Sequence, residues 1–346
     1  MLQPYIAKVM RREDLSAEEA EQAMQLIMTG QASEVQIAGY LTALRMKGET
    51  VAEITGSARA MRAQASKVPY EGEGAPVIDV VGTGGDGAHS FNISTAAAFV
   101  IAGAGYKVAK HGNRAASSRC GSADVLGAMG VNLDLTGEQV AACIDQVGIG
   151  FIFAPRFHPA MKYAIGPRRE LGVRTIFNIL GPLTNPVNTT VQMIGVYDPS
   201  LTEVMASVLG SMGKRAAFVV HGYGGLDELT TGGPNRLSHL KDGRVDTFEL
   251  DAADLGLRRA SAADLVGGEP AENAAMLRAL LSGQDEGPRR DVVLLNSAAA
   301  LAAENGDFKT GLAAACQSLE SGAALQKLEM LAAFSQQLVH TDAVIL

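Results

Sequence analysis

The residues best able to do chemistry fall in one window, Lys110-His111-Gly112-Asn113-Arg114 followed by Ala115-Ala116-Ser117-Ser118-Arg119-Cys120-Gly121-Ser122. It holds four cationic or potentially cationic side chains, four hydroxyl or amide side chains, two glycines and no carboxylate. The chain as a whole carries formal net charge -8, so such a window stands out. Glycine lets backbone N–H groups turn toward a ligand, and Lys and Arg neutralise an anion. The window therefore reads as a phosphate pocket. Upstream, Gly82-Thr83-Gly84-Gly85-Asp86 repeats the message. It is not a Walker loop, because no Gly-Lys-Ser/Thr follows, and it lacks the dinucleotide spacing. An ordinary tight turn is the competing reading.

Asn92-Ile93-Ser94-Thr95 falls at an expected helix start, where free N–H groups and the helix dipole favour an anion. Taken alone, a hydroxyl at that position, Ser94 or Thr95, reads first as a simple N-cap. Asp79, inside an expected strand, reads as a structural hydrogen-bond acceptor. A second acid-free window, Gln146 to Arg169, contains Arg156, His158, Lys162, Arg168 and Arg169. Lys162 reads as part of a solvated face. Arg168 follows Gly166-Pro167 and is expected to begin a helix, with its fork free to pair with a carboxylate. Asp227-Glu228, at the end of the glycine-rich run Gly222-Tyr223-Gly224-Gly225, would suit Mg²⁺, which takes oxygen ligands and bridges to phosphates. A departing diphosphate needs such neutralisation.

These groups must be positioned by two kinds of structure. The first 70 residues read as helices only. Ser16 with Glu19, Ser33 with Gln36 and Thr50 with Glu53 carry the capping-box pattern, and Gly30 and Gly48 suit helix stops. Apolar residues recur at helical spacing, as in Ala20, Ala23, Met24 and Ile27. From Pro76 the texture changes. Val77–Val81, Tyr106–Ala109, Gly150–Phe153, Val191–Tyr197 and Ala216–Val220 read as buried strands alternating with helices. Ser122 and Thr136 are expected to cap two of those helices. Asn235 to Leu250, broken at Asp242-Gly243, reads as a hairpin, and the chain from about Glu272 as mainly helical. The alternation implies a mostly parallel sheet, with both glycine-rich segments opening at its carboxyl edge.

Length and composition set bounds. A chain of 346 residues with 47% hydrophobic and 19% charged residues has enough core for one large or two smaller globular domains. The acidic balance argues against nucleic-acid and membrane-surface partners, which are polyanions. Three cysteines without paired spacing argue against a disulfide framework or structural zinc. The longest apolar run, Thr95 to Gly105, is too short for a membrane span, and no signal-type segment opens the chain. A cytoplasmic protein is expected.

The motifs together resemble anthranilate phosphoribosyltransferases: Gly82 to Asp86, Phe91 to Thr95, Lys110 to Ser122 with Ala123 to Leu126, Arg174 to Asn178 with Gly181 to Pro186, and Gly225 to Glu228, in order along nearly the whole chain. The resemblance implies a small all-helical domain, residues 1–70 completed by about 168–187, and a larger α/β domain, residues 71–167 and 188–346, with the nucleoside phosphorylase/phosphoribosyltransferase-like fold. It implies a homodimer through the helical domain. It implies transfer of phosphoribose from phosphoribosyl pyrophosphate to the amine of anthranilate, the second step of tryptophan synthesis. In that picture Gly82, Gly85, Asp86, Ser90, Asn92, Ile93, Ser94, Thr95, the segment Lys110, His111, Gly112, Asn113, Arg114, Ala115, Ala116, Ser117, Ser118, and Ser122 contact the donor. Gly82, Asn113 and Arg168 contact anthranilate, and His111 lies in the anthranilate channel. Ser94, Asp227 and Glu228 ligate Mg²⁺, and Lys110, Asp227 and Glu228 act electrostatically. Cys120 stands where the family often has Ser, which removes a good side-chain donor. A pyrimidine nucleoside phosphorylase and a non-catalytic, nucleic-acid-binding relative of the same fold are the alternatives.

Overall fold

The computed structural model describes residues 1–115 and 118–342. Four helices come first: α1 (Gln3–Met10), α2 (Ala17–Met28), α3 (Glu34–Lys47) and α4 (Val51–Ala63). Ser16, Ser33 and Thr50 each close a reciprocal capping box with the Glu or Gln three residues on, as the spacing predicts. The α/β part follows with β1 (Val77–Gly82), α5 (Ile93–Gly103), β2 (Lys107–Gly112), α6 (Ser122–Ala128), α7 (Gly137–Gln146) and β3 (Ile149–Phe153). Short α8 (Ala154–Phe157), α9 (Lys162–Leu171) and α10 (Phe177–Leu180) lead to β4 (Val191–Gly195), α11 (Leu201–Ser211), β5 (Ala216–His221), β6 (Pro234–Lys241) and β7 (Arg244–Asp251). The helices α12 (Pro270–Leu281), α13 (Pro288–Ala302), α14 (Phe308–Glu320) and α15 (Ala323–Asp342) complete the chain.

The sheet order is β3-β2-β1-β4-β5-β6-β7. The first five strands in that order pair in parallel, and the β6–β7 hairpin extends the sheet antiparallel. Side chains alternate between two cores, as a two-residue period requires. Met193 and Phe218 face the core built on α5 and α13, whereas Ile194 and Val219 face a second core with α11 and the N-terminal helices. Ala164, Ile176, Phe177, Ile179, Leu180 and Leu183 join that second core. Residues from α9 to the turn before β4 thus pack with helices that precede them by more than a hundred positions.

Three local expectations change. The sequence reading ends β2 at Ala109, but the strand continues to Gly112, with Lys110, His111 and Gly112 in register with Phe151, Ile152 and Phe153 of β3. Lys110 and His111 are buried because the strand carries them into the interior, so a rigid element holds them. Arg168 does not begin a helix; it lies in the last turn of α9, with Pro167 inside the helix. Pro167 is buried and forgoes one backbone bond, and the helix runs on until Gly172 takes the left-handed conformation, φ 61°. Ser122 is the first helical residue of α6, and Gly121 holds the N-cap position.

Candidate active site

Ligands of open parallel sheets settle at strand carboxyl ends where neighbouring connections leave in opposite directions. β1 and β4 are such neighbours: the chain leaves β1 toward β2 and β4 toward β5. A cavity of about 420 Å³ opens there. Gly82 and Gly195 end the two strands side by side in register. Both must be glycine for a steric reason. A methyl group on Gly82 would strike the Asp227 carboxylate, and one on Gly195 would overlap the Asp227 carbonyl. The loop that follows β1 turns through Gly84 and Gly85, at φ 68° and 76°, conformations that side chains resist.

Asp227 and Glu228 form the acidic wall, and both are buried. Asp227 Oδ2 accepts the Gly84 N–H at 2.6 Å, and its own N–H donates to Asp86 Oδ2 at 3.3 Å. Glu228 Oε1 accepts the Ser94 N–H at 3.2 Å, in the first turn of α5. Burial, then the neighbouring charges of Glu228 and Asp86, push the Asp227 carboxyl well above the ordinary range. Burial raises Glu228 to about 7, although Lys110 and the bonds from Ser94 pull it back. Two adjacent buried carboxylates held reluctant to ionise form a donor set short of positive charge.

A cation neighbours this wall, since Lys110 and Glu228 both bond Ser94. Lys110 Nζ donates to Val80 O at 2.8 Å and reaches Ser94 Oγ at 3.4 Å. Burial lowers its pKa, with Asp79 and Glu228 opposing the shift. Asp79 supports the strand from behind, as the sequence suggests. Its carboxylate accepts the His111 N–H at 3.2 Å, Asn185 Nδ2 at 2.9 Å and Gln192 Nε2 at 3.4 Å. His111 faces His158 with Nε2 atoms 3.2 Å apart. Burial and that neighbour push His111 down to about 3, and burial pushes His158 to about 4, so both rings are neutral at pH 7.

Neither Ser94 nor Thr95 caps α5, contrary to the simpler reading; Asn92 holds the N-cap position without a capping bond. Thr95 Oγ1 is buried without a partner and Thr95 lines the cavity. The loop after β2 is closed by Asp124, whose Oδ2 accepts the N–H of Ala115 and of Gly121, each at 2.9 Å. Asn113 Oδ1 takes the Arg114 N–H at 2.7 Å, and Ser122 Oγ donates to Asn113 O at 3.3 Å. The Cys120 thiol is buried and raised to about 11, which leaves it inert as a nucleophile. Arg168 enters from the far side, half-buried, with its guanidinium 5.1 Å from the Phe177 ring centre. No carboxylate pairs with it among the described residues.

Every donor, anthranilate and metal contact named from the sequence lines this one cavity, apart from Ala116 and Ser117, which lie outside the described residues. Lys110 and Glu228 face it together. The sequence reading places Arg174 in a motif but gives it no role; it reaches across the loop to the Gly85 carbonyl and stacks 4.0 Å from the Tyr197 ring centre. Sequence reasoning missed the His111–His158 contact and Asn273, whose amide bonds Asn92. Each pairing spans 47 to 181 residues, and no local pattern marks it. Among the described residues no group of three or more His, Cys, Asp and Glu side chains is arranged to hold a metal.

Comparison with known proteins agrees with this architecture. Residues 3–65 match the helical bundle domain of a glycosyl transferase family, and residues 74–325 match its a/b domain. The anthranilate phosphoribosyltransferase of Moorella thermoacetica is 54% identical, over 96% of this chain and 98% of that one. That of Roseiflexus sp. is 54% identical, over 96% and 97%. The crystal structure of the Thermus thermophilus enzyme is similar with a TM-score of 0.90 at 44% identity, covering 96% of this chain and 99% of that one. The Saccharomyces cerevisiae enzyme, solved in complex with PRPP and Mg, is similar with a TM-score of 0.89 at 30% identity, covering 97% and 98%. With its two matched domains and its near-full-length relatives, the chain belongs to the anthranilate phosphoribosyltransferase family.

Proposed function

We propose that this chain transfers the phosphoribosyl group of phosphoribosyl pyrophosphate to the amine of anthranilate, with the cavity between Lys110 and Glu228 as its active site. The observation that carries the assignment is the shared cavity at the β1/β4 switch point, lined both by the cations Lys110 and Arg168 and by the carboxylates of Asp227 and Glu228. An aromatic amine ortho to a carboxylate is neutral at pH 7 and needs no base before attack. The work lies in detaching diphosphate from the ribose carbon, and positioned charge supplies it.

The first turn of α5, from Asn92 to Thr95, and Lys110 would hold the departing diphosphate, with the unpartnered Thr95 hydroxyl available to it. The loop from Asn113 to Ser118, with Ser122, would hold the other phosphate, taking over N–H groups now bonded to Asn113 and Asp124. Gly82, Gly85, Asp86 and Ser90 would border the donor. Arg168 and Asn113 would orient the anthranilate carboxylate. The oxygen donor set of Ser94, Asp227 and Glu228, buried and short of positive charge, fits Mg²⁺ and would hold it. When bound, Mg²⁺ would supply the positive charge that neutralises the leaving diphosphate.

We further propose a division into a helical domain, residues 1–70 with about 168–187, and an α/β domain holding the rest, supported by Ala164, Ile176, Phe177, Ile179, Leu180 and Leu183, which pack with the N-terminal helices. A homodimer through the helical domain is supported by a groove between α1 and α3. Ile6, Val9 and Met10 line it with Met46, and Met10 and Met46 are each 71% exposed. The three free cysteines suit a reducing, cytoplasmic setting. The test of function is direct: anthranilate fluorescence should fall with phosphoribosyl pyrophosphate and Mg²⁺ present, and an unchanged signal refutes the assignment.

A further inference from the structure

The segment after the β6–β7 hairpin lies against the active-site wall. Phe91 N–H donates to Leu265 O and Gly267 N–H to His89 O, each at 2.9 Å, and Ser90 bridges Val266. A methyl on Gly267 would press on Phe91 Cα at 2.9 Å, so this contact depends on glycine. The chain then enters α12, which packs on α6. Asn273, in the first turns of α12, is 1% exposed. Its Oδ1 accepts the Gly268 N–H at 2.7 Å, and its Nδ2 donates to Asn92 Oδ1 at 2.8 Å. Asn92 Nδ2 in turn donates to Cys120 O at 3.1 Å. One chain of amide bonds therefore runs from α12 through the start of α5 to the end of the 113–121 loop.

We propose that Asn273 is a positioning residue for the phosphoribosyl donor, acting through the Asn92 side chain to set residues 118–121 against α5. The proposal rests on the donor assignment given above. Both ends of the Asn92 amide are committed, which explains why this N-cap residue makes no capping bond. An amide is required at position 273 because one atom must accept and the other donate. Alanine removes both functions. Aspartate keeps the acceptor for Gly268 and loses the donor toward Asn92.

The experiment measures initial rates with each substrate varied in wild type, Asn273→Ala, Asn273→Asp, Asn92→Ala and the Asn92→Ala/Asn273→Ala double variant. Asn273→Ala should raise KM for phosphoribosyl pyrophosphate about tenfold, the scale seen when a supporting partner is removed, and leave KM for anthranilate within about twofold. The double variant should be no worse than the poorer single one, since both break the same chain of bonds. Amides of residues 118–124 should exchange faster in Asn273→Ala. If that variant fails to fold, Asn273→Asp reads the same split. Equal KM changes for both substrates, additive single effects or unchanged exchange would overturn the proposal. A wild type inactive on anthranilate would instead overturn the functional reading, and the proposal with it.

Discussion

Glu228→Gln tests the electrostatics of the site most sharply. Glu228 is buried and its folded-state pKa stands at about 7, against an ordinary 4.5. Between those values the folded protein holds a proton that the unfolded chain has released. Its contribution is therefore fully present below about pH 4.5 and is lost as pH rises through about 7. At 1.36 kcal/mol per unit, the loss between about pH 5 and pH 8 amounts to about 2 to 3 kcal/mol. Asp227, also raised, adds in the same direction. Glutamine keeps the acceptor for the Ser94 N–H and carries no charge, so the variant should escape this loss.

The wild-type profile alone would hide the effect, because other buried groups oppose it. His111 and His158, lowered to about 3 and about 4, make stability rise with pH up to about 6.5. Lys214, lowered to about 7 by burial, does so from there upward. These cancel in the difference between variant and wild type. Urea unfolding in EDTA at several pH values should show Glu228→Gln gaining about 2 to 3 kcal/mol on the wild type from about pH 5 to pH 8. A difference constant within about 0.5 kcal/mol would mean that Glu228 titrates ordinarily, and the charge-starved acidic wall would be refuted. Added Mg²⁺ should reverse the deficit in the wild type at high pH, by about 2.7 kcal/mol at a hundredfold excess over Kd, and do little for the variant.

Three further outcomes follow from the same geometry. Asp227→Asn with Glu228→Gln should lower turnover on the order of a hundredfold or more and flatten its dependence on Mg²⁺; an unchanged Mg²⁺ titration rules out the metal role. Arg168→Ala should raise KM for anthranilate roughly tenfold, the scale of one lost charge-assisted contact, with the donor KM little changed; equal shifts in both would refute a selective carboxylate contact. Gly195→Ala forces a methyl into the Asp227 carbonyl and should cost about 1–3 kcal/mol in urea unfolding. It should also abolish the Mg²⁺-induced rise in Tm, and retention of a full rise would show that the pair is not held by this close approach.

Much of the site was legible because its chemistry is local. Gly82 to Asp86, Asn92 to Thr95 and Asp227-Glu228 are contiguous in sequence, and the sheet brings them together at its carboxyl edge without any one of them specifying the others. The three N-terminal capping boxes are equally local, and all three form. What the sequence hid is tertiary. Lys110 and His111 look like loop residues by their polarity, yet Asp79, Val80 and Ser94 provide partners that let β2 carry them inside. Gly166-Pro167 looks like a lead-in from which Arg168 begins a helix, but the helix already runs from Lys162 and buries Pro167, which outweighs one lost backbone bond. Arg174 and Asn273 work across 89 and 181 residues, beyond any spacing rule.

The same partners explain how an acidic molecule can present a site for a polyanion. Four backbone N–H groups in the cavity wall are already satisfied by the protein's own oxygens: Gly84 by Asp227, Ser94 by Glu228, Arg114 by Asn113 and Ala115 by Asp124. Left bare in a partly buried wall, such groups would each cost about 1–3 kcal/mol. On the proposed reading an arriving phosphate exchanges one oxygen acceptor for another, so the count of hydrogen bonds barely changes. The gain must then come from charge. Lys110 is lowered by burial although Asp79 and Glu228 oppose the shift, and Arg168 is half-buried and lowered by desolvation alone. An anion between them relieves both shifts, whereas Asp227 and Glu228 repel it until a cation sits between. The field that matters is thus set by the few charged side chains that line this cavity, and the net charge of the remaining surface governs solubility rather than substrate choice.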